Sequence, residues 1–211
     1  MRVIKTETTT LSAQAAHTRG HLEGADDREL VSRFREGNEN AFNAIVDRYQ
    51  QRLFRMAETL LGNEEDARDI SQEAFMKAYL NLKSFREDST LFTWLYRIVY
   101  NLSISHLRRK KIISFLSFDT QDEVMELDSK DPDPGEVYER KKVMEAVTAA
   151  LGSLPPKQRA VFTLRQIEGL THREIAGIMG ITEGAVKASY FHAVRKLQGL
   201  LKQYGQAPRI M

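Results

Sequence analysis

A run of Asp-Pro-Asp-Pro-Gly at positions 131–135 divides this sequence of 211 residues into two parts. Proline lacks the backbone donor that a helix needs and clashes with the preceding turn, so no helix can continue through this run. On both sides of it apolar residues recur at helical spacing, and no segment of useful length alternates with the period of a strand. The sequence therefore predicts an all-α protein of two helical domains joined by a flexible acidic linker.

Charge is distributed unevenly along the chain. The formal net charge is only +2, yet positions 119–139 hold nine acidic residues against one basic, and positions 140–211 hold 12 basic residues against four acidic. A basic terminal third indicates a nucleic-acid-binding face, and an acidic spacer can mimic or repel a polyanion. The alternative is an ordinary basic domain beside a solvated linker.

Composition excludes several kinds of site. The chain has no cysteine, which rules out disulfides, thiolate metal ligands and cysteine catalysis. Its five histidines do not have metal-ligand spacing, so we expect neither a metal nor a cofactor. Charges interrupt every hydrophobic run, and the first residues lack the apolar core of a signal peptide. The expectation is a cytoplasmic protein with no membrane insertion of its own.

Capping and helix-breaking residues set the expected domain boundaries. The first residues are polar and show no period, which predicts a disordered tail. Asn40 and Asn63 are expected to cap long helices of the first domain. The expected segments are a tail over 1–25, a helical domain over 26–111, a linker over 112–139, a second helical domain over 140–205 and a short tail over 206–211.

The most specific pattern lies between positions 171 and 201. Ala176, Gly180 and Val186 are separated by three and then by five residues, which is the spacing of a helix-turn-helix. The small residue lets two helices approach closely, and the glycine allows a sharp turn between them. On a helical wheel, the second helix is expected to bury Val186, Tyr190, Ala193, Leu197 and Leu200.

The opposite arc of that helix is basic and carries one aromatic ring. Lysine can reach guanine acceptors in a major groove, and an apolar ring can contact a thymine methyl group. An ordinary helical hairpin is the alternative, but it gives an exposed Phe191 no role. The candidate duplex-binding residues are Lys187, Ala188, Phe191, His192 and Arg195, with Arg173 from the preceding helix.

A second candidate surface lies on the fourth helix of the first domain. A stacking ring, an amide and guanidinium groups on one face are typical of a platform for single-stranded nucleic acid. The alternative is that the tryptophan only covers the core. The expected buried stripe is Leu95, Ile98, Val99 and Leu102, and the platform arc is Trp94, Arg97, Asn101, Ser105 and Arg108.

Four segments resemble the extracytoplasmic-function (ECF) sigma factors of bacterial RNA polymerase, particularly the sigma-E-like branch. They are NAFNAIVDRYQ, DISQEAFMKAYLNLKSFR, FTWLYRIVYNLS and SLPPKQRAVFTLRQIEGLTHREIAGIMGITEGAVKASYFHAVRKL, and they occur in the family's order. The resemblance implies that residues 26–111 correspond to sigma region 2 and residues 140–205 to region 4. Region 1.1 and a complete region 3 are missing, as in the family's two-domain form.

The resemblance also implies roles for individual residues. A helix carrying Asp69, Gln72, Glu73 and Phe75 would dock on core RNA polymerase, and we expect Phe75 to be an exposed aromatic anchor flanked by carboxylates. The loop over 85–90 would capture a flipped base of the −10 promoter element, beside a melted junction. The residues implied for the −10 element are Phe85, Arg86, Asp88, Ser89, Trp94, Arg97 and Asn101.

The terminal helix-turn-helix would read the −35 element. The family usually carries arginine where this chain has Lys187 and His192, and serine where it has Ala188. Lysine offers a point charge in place of the bidentate fork of arginine, so we expect softer base discrimination here. The acidic linker would thread toward the active-site cleft of the polymerase.

The implied function is a sigma factor that directs core RNA polymerase to promoters and assists their melting, and that is not an enzyme. Its implied partners are core RNA polymerase, promoter DNA and an anti-sigma factor. One alternative is a stand-alone regulator whose first domain senses a ligand or dimerises, which leaves the arc of Trp94, Arg97 and Asn101 unexplained. The other is a helical hydrolase, which needs clustered metal ligands that the sequence lacks.

Overall fold

A computed structural model describes residues 24–116 and 136–202. The expected N-terminal tail up to residue 23, most of the acidic linker and the C-terminal tail lie outside the described residues. Regular structure in the described part is entirely helical, which confirms the predicted fold class. The α-helices are α1 Asp27–Arg35, α2 Glu39–Leu61, α3 Glu64–Asn81, α4 Leu91–Leu116, α5 Glu136–Gly152, α6 Pro156–Gln166, α7 His172–Met179 and α8 Glu183–Leu201.

Short polar side chains begin the helices of the first unit, α1–α4. The Asp26 carboxylate accepts a hydrogen bond from the backbone N–H of Glu29 at 2.8 Å, and Asn63 caps α3 through the N–H of Asp66. The prediction for α2 is wrong by two positions. Asn38 is the capping residue, and its side chain accepts a hydrogen bond from the N–H of Asn40 at 3.1 Å. Asn40 lies inside the first turn because the chain becomes helical directly after Asn38.

The long helix α4 is more extensively buried than its sequence period indicates. Leu95, Val99 and Leu102 are buried as predicted, whereas Ile98 is only half-buried. Two tyrosines of the same helix are also buried, namely Tyr96 and Tyr100. The reason is that α4 packs against α2 and α3 on one side and against α7 on another.

The bounds of α4 and α5 shorten the expected linker. α4 continues to Leu116 and α5 begins at Glu136, so both helices extend into the predicted 112–139 segment. The basic run at the end of α4 tolerates helical geometry because its side chains point into solvent. The part between the two helices, including the Asp-Pro-Asp-Pro-Gly run, lies outside the described residues.

The second unit, α5–α8, contains the predicted helix-turn-helix in α7 and α8. Gly180 has a φ of 66°, a left-handed conformation that favours glycine, and Val186 is fully buried between the helices. The predicted inner face of α8 needs two corrections. Tyr190 is half-buried, and Leu200 is 44% exposed. Leu201 is buried instead, because α5 packs against α8 on the side of Leu201.

The two units pack directly against each other. α7 contacts α4 and α6 contacts α2, and one continuous group of buried residues extends across both units. The Arg159 guanidinium is buried at this junction, where it donates to the backbone oxygens of Leu60 in the first unit and of Gly152 and Leu154 in the second. Burial lowers the pKa of Arg159, and the three carbonyl acceptors compensate for the lost hydration. The structure is therefore a closed arrangement of the two units.

An ion pair crosses the same junction. Arg52 of α2 donates to one carboxylate oxygen of Glu168 from Nε at 3.0 Å and from Nη2 at 2.7 Å, and the Glu168 side chain is only 5% exposed. The guanidinium also lies 4.7 Å from the ring centre of Phe92. Burial is the largest single influence and would lower the pKa of Arg52, but the hydrogen bonds and charge interactions with Glu168 and Tyr96 together outweigh it, and the pKa is raised. The bond from Arg52 to Glu168 thus joins the two units, and the ring of Phe92 supports the Arg52 guanidinium from within the first unit.

Candidate functional site

A pocket opens where α3, the loop over 85–90 and α4 meet. Its volume is about 410 Å³, within the range of sites that hold small aromatic ligands. Three of the lining side chains are cationic and one is acidic, which suits a strand that carries phosphates. The pocket is lined by Lys77, Asn81, Ser84, Phe85, Arg86, Asp88, Ser89, Trp94, Arg97 and Ile98. Six of the seven residues expected at the −10 element therefore surround one cavity.

Aromatic packing forms the floor of this pocket. Phe85 is 8% exposed, and its ring centre lies 5.0 Å from that of Trp94. Phe85 is therefore a supporting residue whose face is hidden, in contrast to the exposed Arg86 and Asp88. Thr90 then begins α4, with its hydroxyl oxygen accepting a hydrogen bond from the N–H of Thr93 at 3.1 Å. These contacts fix both ends of the loop.

The remaining platform residues lie under the second unit. Arg97 donates from Nη2 at 2.8 Å and from Nε at 3.1 Å to the backbone oxygen of Gly177 in α7. Asn101 is exposed, but it lies outside the pocket, in a cavity of about 270 Å³ between the units. Ser105 and Arg108 line that cavity together with Lys157 and Met179 of the second unit. The predicted single arc is therefore divided between the open pocket and the junction.

The candidate duplex-binding residues of α8 lie on its open face. Phe191 is 60% exposed, and its ring centre is 5.8 Å from that of His192. Lys187, Ala188 and Arg195 are exposed as well, and Arg173 is exposed on α7. Phe191 lies among cations on the face of α8 opposite the packed one, so it adds nothing to the core of this unit. Its exposure favours a binding role.

A capping box holds the start of α7. The Thr171 hydroxyl accepts a hydrogen bond from the N–H of Glu174, and the Glu174 carboxylate accepts one from the N–H of Thr171 at 2.8 Å. The carboxylate also accepts a hydrogen bond from the Thr171 hydroxyl, and these bonds lower the pKa of Glu174. The box orients α7, and through the Gly180 turn it orients α8.

We expect Thr171→Ala to reduce the free energy of unfolding by about 1 kcal/mol, as for other caps. Glu174→Gln should also destabilise the protein at neutral pH. Because the pKa of Glu174 is lowered in the folded state, its contribution is present above the unfolded pKa and is lost as the pH falls through the folded pKa. Urea unfolding at several pH values measures this. A difference between parent and Glu174→Gln that does not shrink in acid would contradict the box.

The residues expected to dock on polymerase are only partly where the sequence placed them. Asp69 and Gln72 are exposed on the outer face of α3, and Glu73 is half-buried beside Lys77. The expectation that Phe75 is an exposed anchor is wrong, because its ring is half-buried against the core. Helical spacing explains this: Phe75 lies next to the buried alanine face, which consists of Ala67, Ala74 and Ala78.

Two apolar residues on the outer face of α3 escaped the sequence analysis. Met76 is 60% exposed and Leu80 is 76% exposed, and they continue the line of Asp69 and Gln72 along the helix. The signal was available in the sequence, since positions 72, 76 and 80 are spaced to share one face, directly opposite the alanine face. We call Asp69, Gln72, Met76 and Leu80 the outer stripe of α3.

Two kinds of site are missing from the part of the chain that the structure describes. Within residues 24–116 and 136–202, no group of three or more histidine or acidic side chains is placed to hold a metal ion. No helix in those residues is long and apolar enough to cross a membrane.

Comparison with known families identifies both units. Residues 45–112 match the model of sigma-70 region 2, and residues 144–197 match the model of sigma-70 region 4. The first match contains the pocket and α4 as far as residue 112, and the second contains α7 and α8 as far as residue 197. The order of the two matches is the order expected from the sequence.

Individual proteins agree with the family models. The RNA polymerase sigma-H factor of Pseudomonas aeruginosa is 33% identical over 186 residues, covering 84% of this chain and 96% of the relative. The ECF RNA polymerase sigma-E factor of Escherichia coli K12 is 34% identical over 176 residues, covering 79% of this chain and 90% of the relative.

Solved structures show the same fold. CnrH, in complex with the cytosolic domain of CnrY, matches with a TM-score of 0.62 at 26% identity, over 84% of this chain and 97% of CnrH. The sigma factor RpoE of Bartonella quintana, in complex with the anti-sigma factor NepR, matches with a TM-score of 0.64 at 25% identity, over 76% of this chain and 96% of RpoE. The chain therefore belongs to the ECF sigma factors, which are part of the sigma-70 family and direct RNA polymerase to promoters.

Proposed function

We propose that the pocket beside α4 captures one unpaired base of the −10 element, while α8 reads the −35 element as duplex. The observation that carries the proposal is the pocket itself. Arg86, Asp88 and Ser89 line it from the loop, and Trp94 and Arg97 line it from α4. An aromatic floor, polar walls and neighbouring cations provide stacking, hydrogen bonding and phosphate attraction for an extruded nucleotide.

The open face of α8 is suited to a different form of DNA. Its cations and the ring of Phe191 lie on the exposed side of the second helix of the helix-turn-helix. A helix of this kind enters the major groove with its first turns near the base edges. Lys187 lies in the second turn, where it would reach base acceptors, and Arg195 lies further along, where it would reach phosphates.

Docking on core RNA polymerase is assigned to the outer stripe of α3. Asp69 and Gln72 supply polar contacts, and Met76 and Leu80 supply exposed apolar area. Exposed apolar side chains on a helix whose opposite face is fully packed favour a protein partner. The stripe lies on the opposite side of α3 from the alanine face, so docking leaves the core of the first unit unchanged.

Promoter recognition requires the two units to separate. The −35 and −10 elements are numbered by their position along the promoter, so they lie about 25 base pairs apart. This separation corresponds to about 85 Å of B-form DNA. In the closed arrangement α7 packs against α4, and the Arg97 guanidinium donates its hydrogen bonds to the backbone oxygen of Gly177. The guanidinium is therefore not free to bind DNA. The two units cannot reach both elements from this arrangement, so we infer that binding of polymerase and DNA opens the junction.

We expect the Arg52–Glu168 pair to hold the closed arrangement. Glu168→Ala removes the buried acceptor, whereas the half-exposed Arg52 can be hydrated again. The ratio of closed to open protein should fall about three- to tenfold, the range for a charge-assisted bond with one exposed partner. Because the chain has no cysteine, Ser105→Cys and Lys157→Cys can report closure by cross-linking across the cavity that both residues line.

The matched control for this experiment is Glu58→Ala, which changes an exposed carboxylate of the same helix as Arg52. It should leave the cross-linking yield unchanged. Equal yields for the Glu168 and Glu58 variants would contradict a role for the ion pair in closure.

Run-off transcription with core RNA polymerase on a promoter library tests the whole proposal. The expected result is initiation at promoters that share two conserved elements, with no transcription by core enzyme alone. A protein that binds a duplex operator but never supports initiation would instead be the stand-alone regulator considered above.

We propose four further properties on the basis of family membership. The chain catalyses no reaction itself and acts in the cytoplasm, where RNA polymerase is found. Bartonella quintana RpoE is bound to an anti-sigma factor in its solved structure, and we propose a partner of this class for the present chain. The acidic linker, which lies outside the described residues, is proposed to enter the nucleic-acid channel of the polymerase through its charge.

A further inference from the structure

We propose that Arg35 is a positioning residue for base capture. It holds the loop over 85–90 in shape by donating hydrogen bonds to both Phe85 and Glu87. This inference rests on the proposed function of the pocket. Arg35 lies at the last position of α1, on an element that contributes nothing to the pocket lining. Its guanidinium nevertheless extends to the loop and donates to two acceptors in it.

The two acceptors lie on successive parts of the loop. Nη1 of Arg35 donates to the Glu87 carboxylate at 2.8 Å, and Nη2 donates to the backbone oxygen of Phe85. A planar guanidinium fixes the relative positions of two acceptors in a way that a flexible ammonium cannot. Arg35 therefore sets the distance between the loop backbone at Phe85 and the side chain at Glu87.

Glu87 needs such support because of its backbone. Its φ of 60° is left-handed, and in the described residues it is the single non-glycine position with a positive φ. Residues with a Cβ adopt this conformation only where the surroundings impose it, and such positions are concentrated at ligand-binding sites. The neighbouring Arg86 and Asp88, which line the pocket, are aimed by the conformation of Glu87 between them.

The loop has little else behind it. A second cavity, of about 590 Å³, lies on the side of the loop that faces α1 and α2. Phe85 and Ser89 line both cavities, and Glu87 lines the second. Between the ends that Phe85 and Thr90 fix, a loop with open space on two sides has little packing, so hydrogen bonds largely determine its shape. Arg35 supplies these bonds from the second side.

The structure predicts a specific rescue. Glycine adopts a φ near 60° without strain, so Glu87→Gly should hold the loop conformation without needing Arg35. If Arg35 acts through Glu87, then Arg35→Ala should impair base capture in the parent and impair it much less in a Glu87→Gly background. A role in the stability of α1 alone would produce the same defect in both backgrounds.

The experiment uses holoenzyme on a closed duplex promoter with 2-aminopurine in the non-template strand of the −10 element. The increase in fluorescence reports unstacking of the base, and run-off product reports initiation. We expect Arg35→Ala to reduce the rate of the fluorescence increase about tenfold, and Arg35→Ala/Glu87→Gly to recover at least half of the parent rate. Arg33→Ala is the control, because Arg33 lies on the same helix and pairs within it, with Glu29.

Each outcome decides between the inference and the proposed function. A parent holoenzyme that transcribes but gives no fluorescence increase overturns base capture itself. A parent that captures the base while Arg35→Ala does so equally well overturns the role of Arg35, and so does a defect that Glu87→Gly fails to rescue. Should Arg35→Ala unfold, Arg35→Lys provides the same comparison, because lysine keeps the charge but cannot donate to both acceptors in the same geometry. An unchanged capture rate with Arg35→Lys would likewise overturn the role of the bidentate clasp.

Discussion

Replacing Asp88 and Asn101 by alanine is expected to reduce transcription from a closed duplex at least tenfold, and to reduce it much less from a template whose −10 region is already mismatched. Asp88 lines the pocket, and Asn101 lies further along α4, in the cavity between the units that opens when they separate. Both residues would contact the strand only after it is unpaired. Supplying an unpaired strand therefore removes the step that the substitutions impair.

Lys187→Ala provides the opposite pattern. Lys187 lies on the open face of α8, where its contacts would form with duplex DNA before melting begins. A lost base contact corresponds to about 1–3 kcal/mol of discrimination, and a lysine should fall toward the lower end of this range. We expect about a tenfold loss on both templates, with a relaxed preference at the −35 element.

In-vitro transcription of the two variants on the two templates separates these roles. All three substituted positions are exposed, so circular dichroism should show the parent fold for both variants. The result that contradicts the assignment is a pre-melted template that restores Lys187→Ala but not the Asp88/Asn101 variant. The two DNA-binding faces would then have been interchanged.

The fold could be predicted from the sequence because local signals agree with the tertiary structure. The caps at Asn63 and Thr171 and the spacing of Ala176, Gly180 and Val186 each fix a helix or a turn through interactions within a few residues. Such signals depend on neighbouring residues alone. They are present in the sequence whether or not the rest of the chain is folded.

Some of the errors arose where contacts distant in sequence decide the outcome. Leu200 was expected in the core and Leu201 is found there, because the position of α5 selects between two adjacent leucines. The clasp of Arg35 on Glu87 joins residues 52 positions apart, and no local pattern predicts it. The closed arrangement depends on Arg52 and Glu168, which are still more distant in sequence.

The burial of Phe75 changes the predicted interface with polymerase. Its sequence neighbours, Gln72 and Glu73, favoured an exposed anchor, whereas its position beside the alanine face of α3 makes it half-buried. Phe75→Ala should therefore reduce the free energy of unfolding by about 2–4 kcal/mol, the range for truncating a ring that packs on a core. The anchors that we propose for a partner are the residues one position and five positions further along, Met76 and Leu80.

Met76→Ser/Leu80→Ser is expected to weaken binding of core RNA polymerase at least tenfold without changing the stability of the free protein. Both side chains are mostly exposed, so serine removes no packing from the folded monomer. In a complex the same side chains would be buried against the partner, and each would contribute about 1–2 kcal/mol from its apolar area. Titration of fluorescently labelled protein with core enzyme measures the affinity, and urea unfolding measures the stability.

Leu200→Ser is the matched control, since Leu200 is an exposed leucine on α8, outside the outer stripe of α3. It should bind core enzyme as tightly as the parent, because a general loss of surface hydrophobicity does not affect a specific interface. Comparison with Asp69→Ala/Gln72→Ala then separates the polar and apolar parts of the stripe. If both double variants bind core enzyme with parental affinity while remaining folded, the polymerase contact lies elsewhere, and the exposed Met76 and Leu80 need a different partner.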